Sequence, residues 1–421
     1  MIAIKKIRDN QSLVEEGISK KGESVNLNEI IKFDSELRNL TKKLNDLQSE
    51  QNKKSKEIGR LKPENSEDKS IFSDLKNLSN EVKDLESTHR IKSEEFRNML
   101  LEIPNIPHDS VPIGKNSDQN VIYKDCSSKK EFTFEPKSHV DIVKSLDLID
   151  FEAGAKISGT GFPLYKGNGA LLERALINFM IDYNLKNYNY IEIFPPFLVR
   201  PDSGITTGQL PKFSEDMYHI EKDNLYLIPT AEVPITNIHK DEILNLEDLP
   251  KYYLAYSACF RREAGSYGKD TRGLLRVHQF NKVELVKFVH PNDSYAELET
   301  LTNQASKILD MLELDYRIVE LCSGDLSFAA SKCYDLEVWA PGEKKWLEVS
   351  SCSNFEAFQS RRGNIRFRDE DNKTNYVHTL NGSGLATPRV LAALIETHQQ
   401  EAGAISIPSS LQPYTGLAEI K

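Results

Sequence analysis

Residues 252–288 read YYLAYSACFRREAGSYGKDTRGLLRVHQFNKVELVKF, and they set the expected architecture of the chain. Both ends of this stretch are rich in aromatic and β-branched residues, whereas its middle contains Gly265, Gly268 and Gly273. Such a composition predicts two strands that are joined by a loop.

The charged residues of this stretch fall on particular faces of the two expected strands. Side chains alternate between the faces of a strand, which places Arg261 with Glu263, and Arg276 with Phe280 and Glu284. An arginine matches phosphate or carboxylate oxygens, an aromatic ring offers a platform for a base, and a carboxylate accepts from an amine or a hydroxyl. The residues alone leave two interpretations open, a nucleotide site or a hairpin with surface ion pairs.

The letters FRREAG (260–265) and RGLLRVHQFNKVE (272–284) closely resemble motif 2 of the class II aminoacyl-tRNA synthetases, in the form of the bacterial-type seryl-tRNA synthetases. The resemblance implies an α+β fold with an N-terminal antiparallel helical hairpin. A class II catalytic domain, with a mixed, mainly antiparallel sheet flanked by helices, is expected to follow. It also implies that L-serine is activated with ATP to seryl-adenylate and transferred to the 3′ end of tRNA(Ser). Family members also charge tRNA(Sec) with serine, and the sequence leaves that second tRNA open.

Length, charge and cysteine usage restrict the class of protein. The chain has 421 residues, enough for two or three domains, and its net charge of −10 confines any nucleic-acid contact to a local basic patch. The N-terminus lacks the apolar run of a signal peptide, and no apolar stretch is long enough to span a membrane, so no membrane partner is expected. The cysteines have no CxxC spacing, which predicts free thiols, no zinc site and a reducing cytoplasm. They are Cys126, Cys259, Cys322, Cys333 and Cys352.

A heptad pattern near the N-terminus predicts a coiled-coil hairpin. A lead-in of about 25 residues, broken by Gly17 and Gly22, is expected before it. The first helix, of ~34 residues at ~1.5 Å each, would project ~50 Å, and a turn near Gly59 and Pro63 would reverse the chain. The first seam comprises Ile30, Phe33, Leu37, Leu40, Leu44 and Leu47. The second comprises Leu75, Leu78, Val82 and Leu85, and it becomes polar at His89.

Basic residues cluster toward the far end of this arm, at Lys53, Lys54, Lys56, Arg60 and Lys62. Because acidic residues are interleaved nearby, the pattern alone fits a solvated helix face as well as a nucleic-acid contact. The resemblance implies that the arm grips the long variable arm of the tRNA.

Prolines in IPNIPHDSVPIG, residues 103–114, forbid a continued helix and indicate a domain boundary. We expect a tRNA-binding arm over residues 1–103, a linker over 104–115 and a catalytic domain over 116–421. Residues 159–200 resemble motif 1, which implies a homodimer. Residues 291–320 are expected to form an amphipathic scaffold helix.

Three further short segments carry polar groups that fit a substrate site. Thr230 to Glu232 follow Pro229, where a helix N-cap is the ordinary interpretation. Glu348 to Ser351 place a carboxylate beside hydroxyls, which suits either a hard cation or a solvated edge strand. Arg389 lies in the first turn of a helix begun by Pro388, and helix starts favour anions. The last segment resembles motif 3, except that Thr387-Pro388 stands where the family often has Val-Gly, a change expected to affect only local backbone shape.

The resemblance implies a role for each residue. Arg261 is expected to hold the α-phosphate and the serine carboxylate, Glu263 to orient Arg261 or the adenine, and Phe280 to stack on adenine. Catalytic residues would be Arg261, Arg276 and Arg389. Serine would be bound by Thr230, Ala231, Glu232, Arg261, Glu284 and Ser383. ATP would be bound by Arg261, Arg262, Glu263, Arg276, Phe280, Glu348, Val349, Ser350, Ser351 and Arg389, with Mg²⁺ on Glu348 and Ser351.

Three other functions compete with this one. An amino-acid ligase that loads a carrier protein would use the same core, but such relatives lack the long arm. A non-catalytic RNA-binding paralogue would have lost some site residues, whereas this set is intact. A coiled-coil scaffold with an inert globular head would bind neither ATP nor serine.

Overall fold

A computed structural model of the chain describes residues 1–58, 66–128, 130–264 and 272–421. Six residues singled out above lie outside this range: Gly59, Arg60, Lys62, Pro63, Gly265 and Gly268. Contacts divide the chain into two compact units. One comprises Ile2–Ser19 and Glu23–Pro104, and the other comprises Met1, Lys20–Gly22 and Asn105–Lys421. The domain boundaries predicted at residues 103 and 115 stay a prediction.

The smaller unit is built on two long antiparallel helices. Its helices are α1 (Ile4–Asp9), α2 (Gln11–Lys20), α3 (Leu27–Ile58) and α4 (Ser66–Leu101). The predicted seam is confirmed, because Leu44, Leu78 and Val82 are buried against one another. Near the base, the rings of Phe33 and Phe96 stack with centroids 5.9 Å apart. With 32 residues, α3 is ~48 Å long at ~1.5 Å per residue.

Three details of the smaller unit differ from the expected pattern or refine it. The lead-in is helical, and Gly17 lies buried inside α2 rather than breaking it. The polar seam position His89 accepts or donates a 2.8 Å hydrogen bond with Thr41, so the seam is polar there without an unpaired group. On the basic face, Lys54 forms a 2.8 Å ion pair with Glu50, whereas Lys53 and Lys56 are exposed.

The larger unit is organised on an eight-stranded sheet in the order β1-β11-β12-β13-β16-β10-β9-β4. The pair of β4 with β9 is parallel, and the other neighbouring pairs are antiparallel. The strands are β1 (Val121–Cys126), β4 (Ile191–Glu192), β9 (Lys251–Phe260), β10 (Gln279–Val289), β11 (Tyr316–Glu320), β12 (Lys332–Ala340), β13 (Lys345–Asn354) and β16 (His378–Ala386).

Smaller sheets surround this one. They are formed by β2 (Ile149–Asp150) with β3 (Leu164–Tyr165), by β5 (Leu198–Val199), β6 (His219–Ile220) and β7 (Leu225–Leu227), by β8 (Ile243–Asn245), β14 (Arg366–Arg368) and β15 (Thr374–Tyr376), and by β17 (Ile405–Ser406) with β18 (Glu419–Ile420).

Helices flank the main sheet, as expected for the predicted α+β class. They are α5 (His139–Ser145), α6 (Phe151–Ser158), α7 (Asn168–Asn187), α8 (Pro201–Thr207), α9 (Glu232–Thr236), α10 (Ser294–Met311), α11 (Phe358–Gly363), α12 (Thr387–Thr397) and α13 (Gln412–Thr415). The prediction of one helix over 291–320 is wrong at its C-terminal end. α10 stops at Met311, and the alternating residues Tyr316–Glu320 form the buried strand β11.

Strand alternation in β10 separates the apolar core from a polar face. Val283 and Leu285 belong to the large cluster with residues of α7, α10 and α12. The even-numbered residues Phe280, Lys282 and Glu284 therefore point to the opposite face of the sheet. That face carries the site described next. Within the described residues, no helix is both long and apolar enough to cross a membrane.

Candidate active site

A cavity of about 740 Å³ opens on the polar face of β10, beside β13 and the start of α12. Small-molecule sites commonly enclose about 300–1,000 Å³, so the volume suits a nucleotide with an amino acid. The site residues expected from the sequence line this cavity, with three exceptions. The exceptions are Ala231, Arg262 and Glu284.

Arg261 and Phe280 both line the cavity and lie against each other. The guanidinium carbon of Arg261 is 5.1 Å from the centre of the Phe280 ring, and Arg261 Nε donates to the carbonyl of Pro229 at 3.4 Å. Strand alternation does not place Arg261 with Glu263, as was predicted, because β9 ends at Phe260 and Glu263 has a φ of 51°. The turn nevertheless brings Glu263 into the cavity, where its carboxylate pairs with Arg276 Nη1 at 2.8 Å.

Arg389 projects from the first turn of α12 into the same cavity. Its Nε donates to the carbonyl of Leu275 at 3.1 Å, and its Nη1 donates to the carbonyl of Glu348 at 2.9 Å. These bonds hold the guanidinium between motif 2 and β13. Arg262, by contrast, is exposed outside the cavity lining, and its backbone N–H donates to Asp216.

A bulge in β13 aligns the two residues expected to bind a metal. Strict alternation would put Glu348 and Ser351 on opposite faces. The pairing register with β12 shifts by one residue, so that Glu348 faces Glu337 and Ser351 faces Asp335. Residues 335 and 337 share a face, and the bulge therefore returns Glu348 and Ser351 to one face. Both line the cavity, with Val349 and Ser350 between them.

Two buried carboxylates lie near Thr230, and Glu232 lines the cavity whereas Glu284 does not. The Thr230 hydroxyl donates to Glu284 Oε2 at 2.9 Å and accepts from the N–H of Glu232 at 3.1 Å. The cap interpretation of Thr230 is wrong, because Ala231 is the N-cap of α9. The Thr230 hydroxyl instead joins the first residue of that helix to the second acid. Glu284 forms an ion pair with Lys282 and is opposite Ser383 in the β-ladder. Ala231 packs in an apolar cluster with Ile235, away from the cavity lining.

Glu232 is held in an unusual protonation range. Burial, followed by repulsion from Glu284, raises the pKa of Glu232 to about 7. A hydrogen bond from Gln359 and the charges of Lys282 and Arg261 oppose that rise. A cationic group placed beside Glu232 would favour its ionised form and lower this pKa.

Several residues around Glu232 were not identified from the sequence. Lys282 shares the parity of Phe280 and Glu284, so strand alternation could have found it. Gln209 and Gln359 both donate to Glu232, but one follows α8 and the other lies on α11. No local pattern in the sequence connects these glutamines to Glu232, because the contacts depend on tertiary packing.

His139, Glu343 and Glu396 form a group with the composition of a metal site. His139 Nδ1 contacts Glu396 Oε1 at 2.8 Å, and His139 Nε2 accepts from the N–H of Leu274 at 3.2 Å. Glu396 Oε2 accepts from the N–H groups of Gly342 and Glu343. Because both ring nitrogens and both carboxylate oxygens already have partners, this group is a structural network that supports the cavity wall at Leu274.

Thr387 has a larger effect than the expected change in backbone shape. Its hydroxyl donates to Glu173 Oε1 on α7, and Asn281 of β10 donates to the same oxygen at 2.8 Å. Burial raises the pKa of Glu173, and its Oε2 has no hydrogen-bond partner among the described residues. Thr387 thereby ties the start of the helix that carries Arg389 to a buried acid.

Replacing Glu173 with glutamine is expected to stabilise the protein at pH 8 by on the order of 1 kcal/mol, but not at pH 4. The folded state raises the pKa of this acid, so the native carboxyl keeps its proton where the unfolded chain has lost it, and wild-type stability falls as pH rises. Glutamine keeps the acceptor for Asn281 and Thr387. Urea unfolding from pH 4 to 8 would measure the difference. Glu152→Gln, at an exposed site, is the control, and a pH-independent difference would contradict the prediction.

Two family models match the chain. The model "Seryl-tRNA synthetase N-terminal domain" matches residues 1–107, and the model "tRNA synthetase class II core domain (G, H, P, S and T)" matches residues 215–398. The first covers the helical arm, and the second covers most of the cavity lining.

Relatives match along the full length. The serine–tRNA ligase of Carboxydothermus hydrogenoformans is 50% identical, covering 100% of this chain and 99% of the relative, and that of Caldicellulosiruptor bescii is 54% identical, covering 100% of both. A crystal structure of seryl-tRNA synthetase from Pyrococcus horikoshii complexed with ATP superimposes with a TM-score of 0.89 at 38% identity, covering 100% of this chain and 99% of that one. With the arm, the sheet and the cavity all matched, the chain belongs to the seryl-tRNA synthetase family of class II aminoacyl-tRNA ligases.

Proposed function

We propose that this protein is a serine–tRNA ligase. It forms seryl-adenylate and pyrophosphate from L-serine and ATP, and then transfers the seryl group to the 3′-OH of tRNA(Ser). The observation that carries the proposal is one cavity lined by the Arg261–Phe280 pair and by the buried acid Glu232, with a second buried acid, Glu284, hydrogen-bonded to Thr230 of the same lining. Such a cavity suits a nucleotide phosphate next to an amino group.

The nucleotide is held by the arginines. Arg261 neutralises the α-phosphate and the serine carboxylate while that carboxylate attacks phosphorus. Arg276, braced by its 2.8 Å ion pair with Glu263, and Arg389 face the β- and γ-phosphates. Phe280 stacks on the adenine. This chemistry needs positioning and charge neutralisation rather than a protein nucleophile.

Glu348 and Ser351 would hold the Mg²⁺ that accompanies ATP. The oxygen donors of a carboxylate and a hydroxyl suit this hard cation, and the bulge in β13 presents both on the face that lines the cavity. Val349 and Ser350 contribute the backbone between them. When bound, the ion neutralises phosphate charge.

Serine is bound next to the two acids Glu232 and Glu284. Its ammonium group meets Glu232, and its hydroxyl meets Glu284 and Ser383, with Thr230 bridging the two acids. A site built to hydrogen-bond a hydroxyl rejects alanine strongly, because its buried polar groups would stay unpaired.

The remaining parts of the proposal concern tRNA and assembly. The coiled-coil arm, with exposed Lys53 and Lys56, binds the variable arm of tRNA(Ser). Residues 159–200 form the interface of a homodimer. Charging of tRNA(Sec) and a cytoplasmic location complete the proposal.

Pyrophosphate exchange across the twenty amino acids tests the proposed activity. Exchange is expected with serine, and at least about 100-fold less with alanine, since hydroxyl-reading sites discriminate by that factor or more. Serine-dependent exchange without any tRNA charging would favour a ligase that loads a carrier protein. If no amino acid supports exchange and neither ATP nor serine binds in titration, the result would favour a coiled-coil scaffold with an inert globular head.

A further inference from the structure

The Glu232 carboxylate lies between two neutral amides. Gln359 Nε2 donates to Glu232 Oε1 at 2.6 Å, and Gln209 Nε2 approaches Glu232 Oε2 at 3.5 Å. Glu232 is 6% exposed and Gln359 is 1% exposed, so the shorter bond is shielded from water. Gln359 thereby fixes one carboxylate oxygen of Glu232, and Glu232 also lines the cavity.

The direction of the Gln359 amide is set by its other partners. The Thr379 hydroxyl, which is fully buried on β16, donates to Gln359 Oε1 at 2.7 Å. Gln359 Nε2 also donates to the carbonyl of Thr207 at 3.2 Å. A flipped amide would turn its oxygen toward the Thr207 carbonyl and the Glu232 carboxylate, and it would lose both of those bonds.

We propose that Gln359, with its amide oriented by Thr379, is a positioning residue that fixes the Glu232 carboxylate for the ammonium group of serine. The inference rests on the proposed function, because it assumes that Glu232 meets that ammonium. Gln359 touches no substrate atom in this scheme. It acts through the acid that it holds.

A neutral donor suits this task better than a cation. An arginine or lysine at position 359 would neutralise Glu232, whereas an amide orients the carboxylate and leaves its charge for the ligand. Charged groups act on Glu232 from β10, where Lys282 and Glu284 lie, and from Arg261 after β9. From α11, the neutral amide of Gln359 donates to Glu232.

The pH dependence follows from the same geometry. Burial and Glu284 raise the pKa of Glu232 to about 7, and the Gln359 hydrogen bond opposes the rise. Only the ionised acid attracts an ammonium, so kcat/KM for serine should fall as pH drops through about 7. Removing the amide donor raises the pKa further and moves this fall to higher pH.

Two substitutions at Gln359 test the proposal in the full-length protein by serine-dependent pyrophosphate exchange. Gln359→Leu should raise KM for serine by about 10- to 100-fold, the usual effect of losing a hydrogen bond to a charged group, with KM for ATP nearly unchanged. Gln359→Glu should move the acid limb of kcat/KM for serine to higher pH, because it places a second acid against Glu232.

Substitutions at Thr379 keep the test valid if the Gln359 variants do not fold. Thr379→Val removes the hydroxyl at constant shape and should raise KM for serine by about 3- to 10-fold. Thr379→Ser keeps the hydroxyl, so KM for serine should stay at the wild-type value. Thr374→Val, at an exposed site on β15, is the matched control and should change nothing.

The outcomes separate this inference from the proposed function. If wild-type protein shows no serine-dependent exchange, the proposed function fails. If wild-type protein is active but Gln359→Leu and Thr379→Val keep its KM and pH profile, the positioning role is wrong. An equal rise in KM for serine and in KM for ATP, with the pH profile of kcat/KM unchanged, would also overturn the positioning role, since it indicates general damage to the fold.

Discussion

Arg261→Ala is expected to reduce serine-dependent pyrophosphate exchange by about 1,000-fold or more. One preorganised donor to developing charge commonly contributes about 100- to 1,000-fold, and Arg261 is proposed to hold two anionic groups at once. Its guanidinium already lies against the Phe280 ring and is held by the Pro229 carbonyl, so little reorganisation is needed when the ligand binds.

The control for this experiment is a surface arginine. Arg368 is exposed on β14 and donates to Asn372, so Arg368→Ala should keep full exchange activity. Arg261→Lys retains the charge but not the planar fork, and it should remain severely impaired because a bidentate contact is lost. Near-normal exchange by Arg261→Ala would remove the central assignment of the mechanism.

The position of Arg261 illustrates how much of the site was accessible from sequence. Motif 2 predicted two strands and a ligand face, and β9 and β10 have that arrangement. Parity worked for Phe280 and Glu284, which lie on a regular strand. It failed for Arg276, which precedes the start of β10 at Gln279, and for Glu263, because the backbone leaves β9 after Phe260 and turns through a positive φ. Pattern rules apply only while the backbone stays regular.

The residues around Glu232 show a second limit. Thr230 and Glu232 are close in sequence, so their motif was visible, whereas Gln359 and Thr379 are more than 100 residues away. Likewise, the one-residue bulge that aligns Glu348 with Ser351 arises from pairing with β12. Packing and strand register are tertiary properties, and short local patterns in the sequence do not reveal them.

Deletion of residues 30–100 is expected to preserve adenylate formation but to reduce transfer to tRNA(Ser) by on the order of 1,000-fold. The cavity lining runs from Thr207 to Arg389, so its residues remain in the shortened chain. Specific nucleic-acid contacts exceed non-specific ones by about that factor or more, and the acidic chain gives little general attraction to RNA. Pyrophosphate exchange and tRNA charging by the same preparation measure the two steps separately.

A paired RNA deletion makes this test specific for the arm. Wild-type protein should charge tRNA(Ser) that lacks its variable arm as poorly as the shortened protein charges intact tRNA(Ser). If the helical arm and the variable arm contact each other, the two losses will not multiply when both deletions are combined, since each removes the same interaction. Losses that multiply would mean that the helices contribute elsewhere, and full charging by the shortened protein would refute a role in tRNA binding.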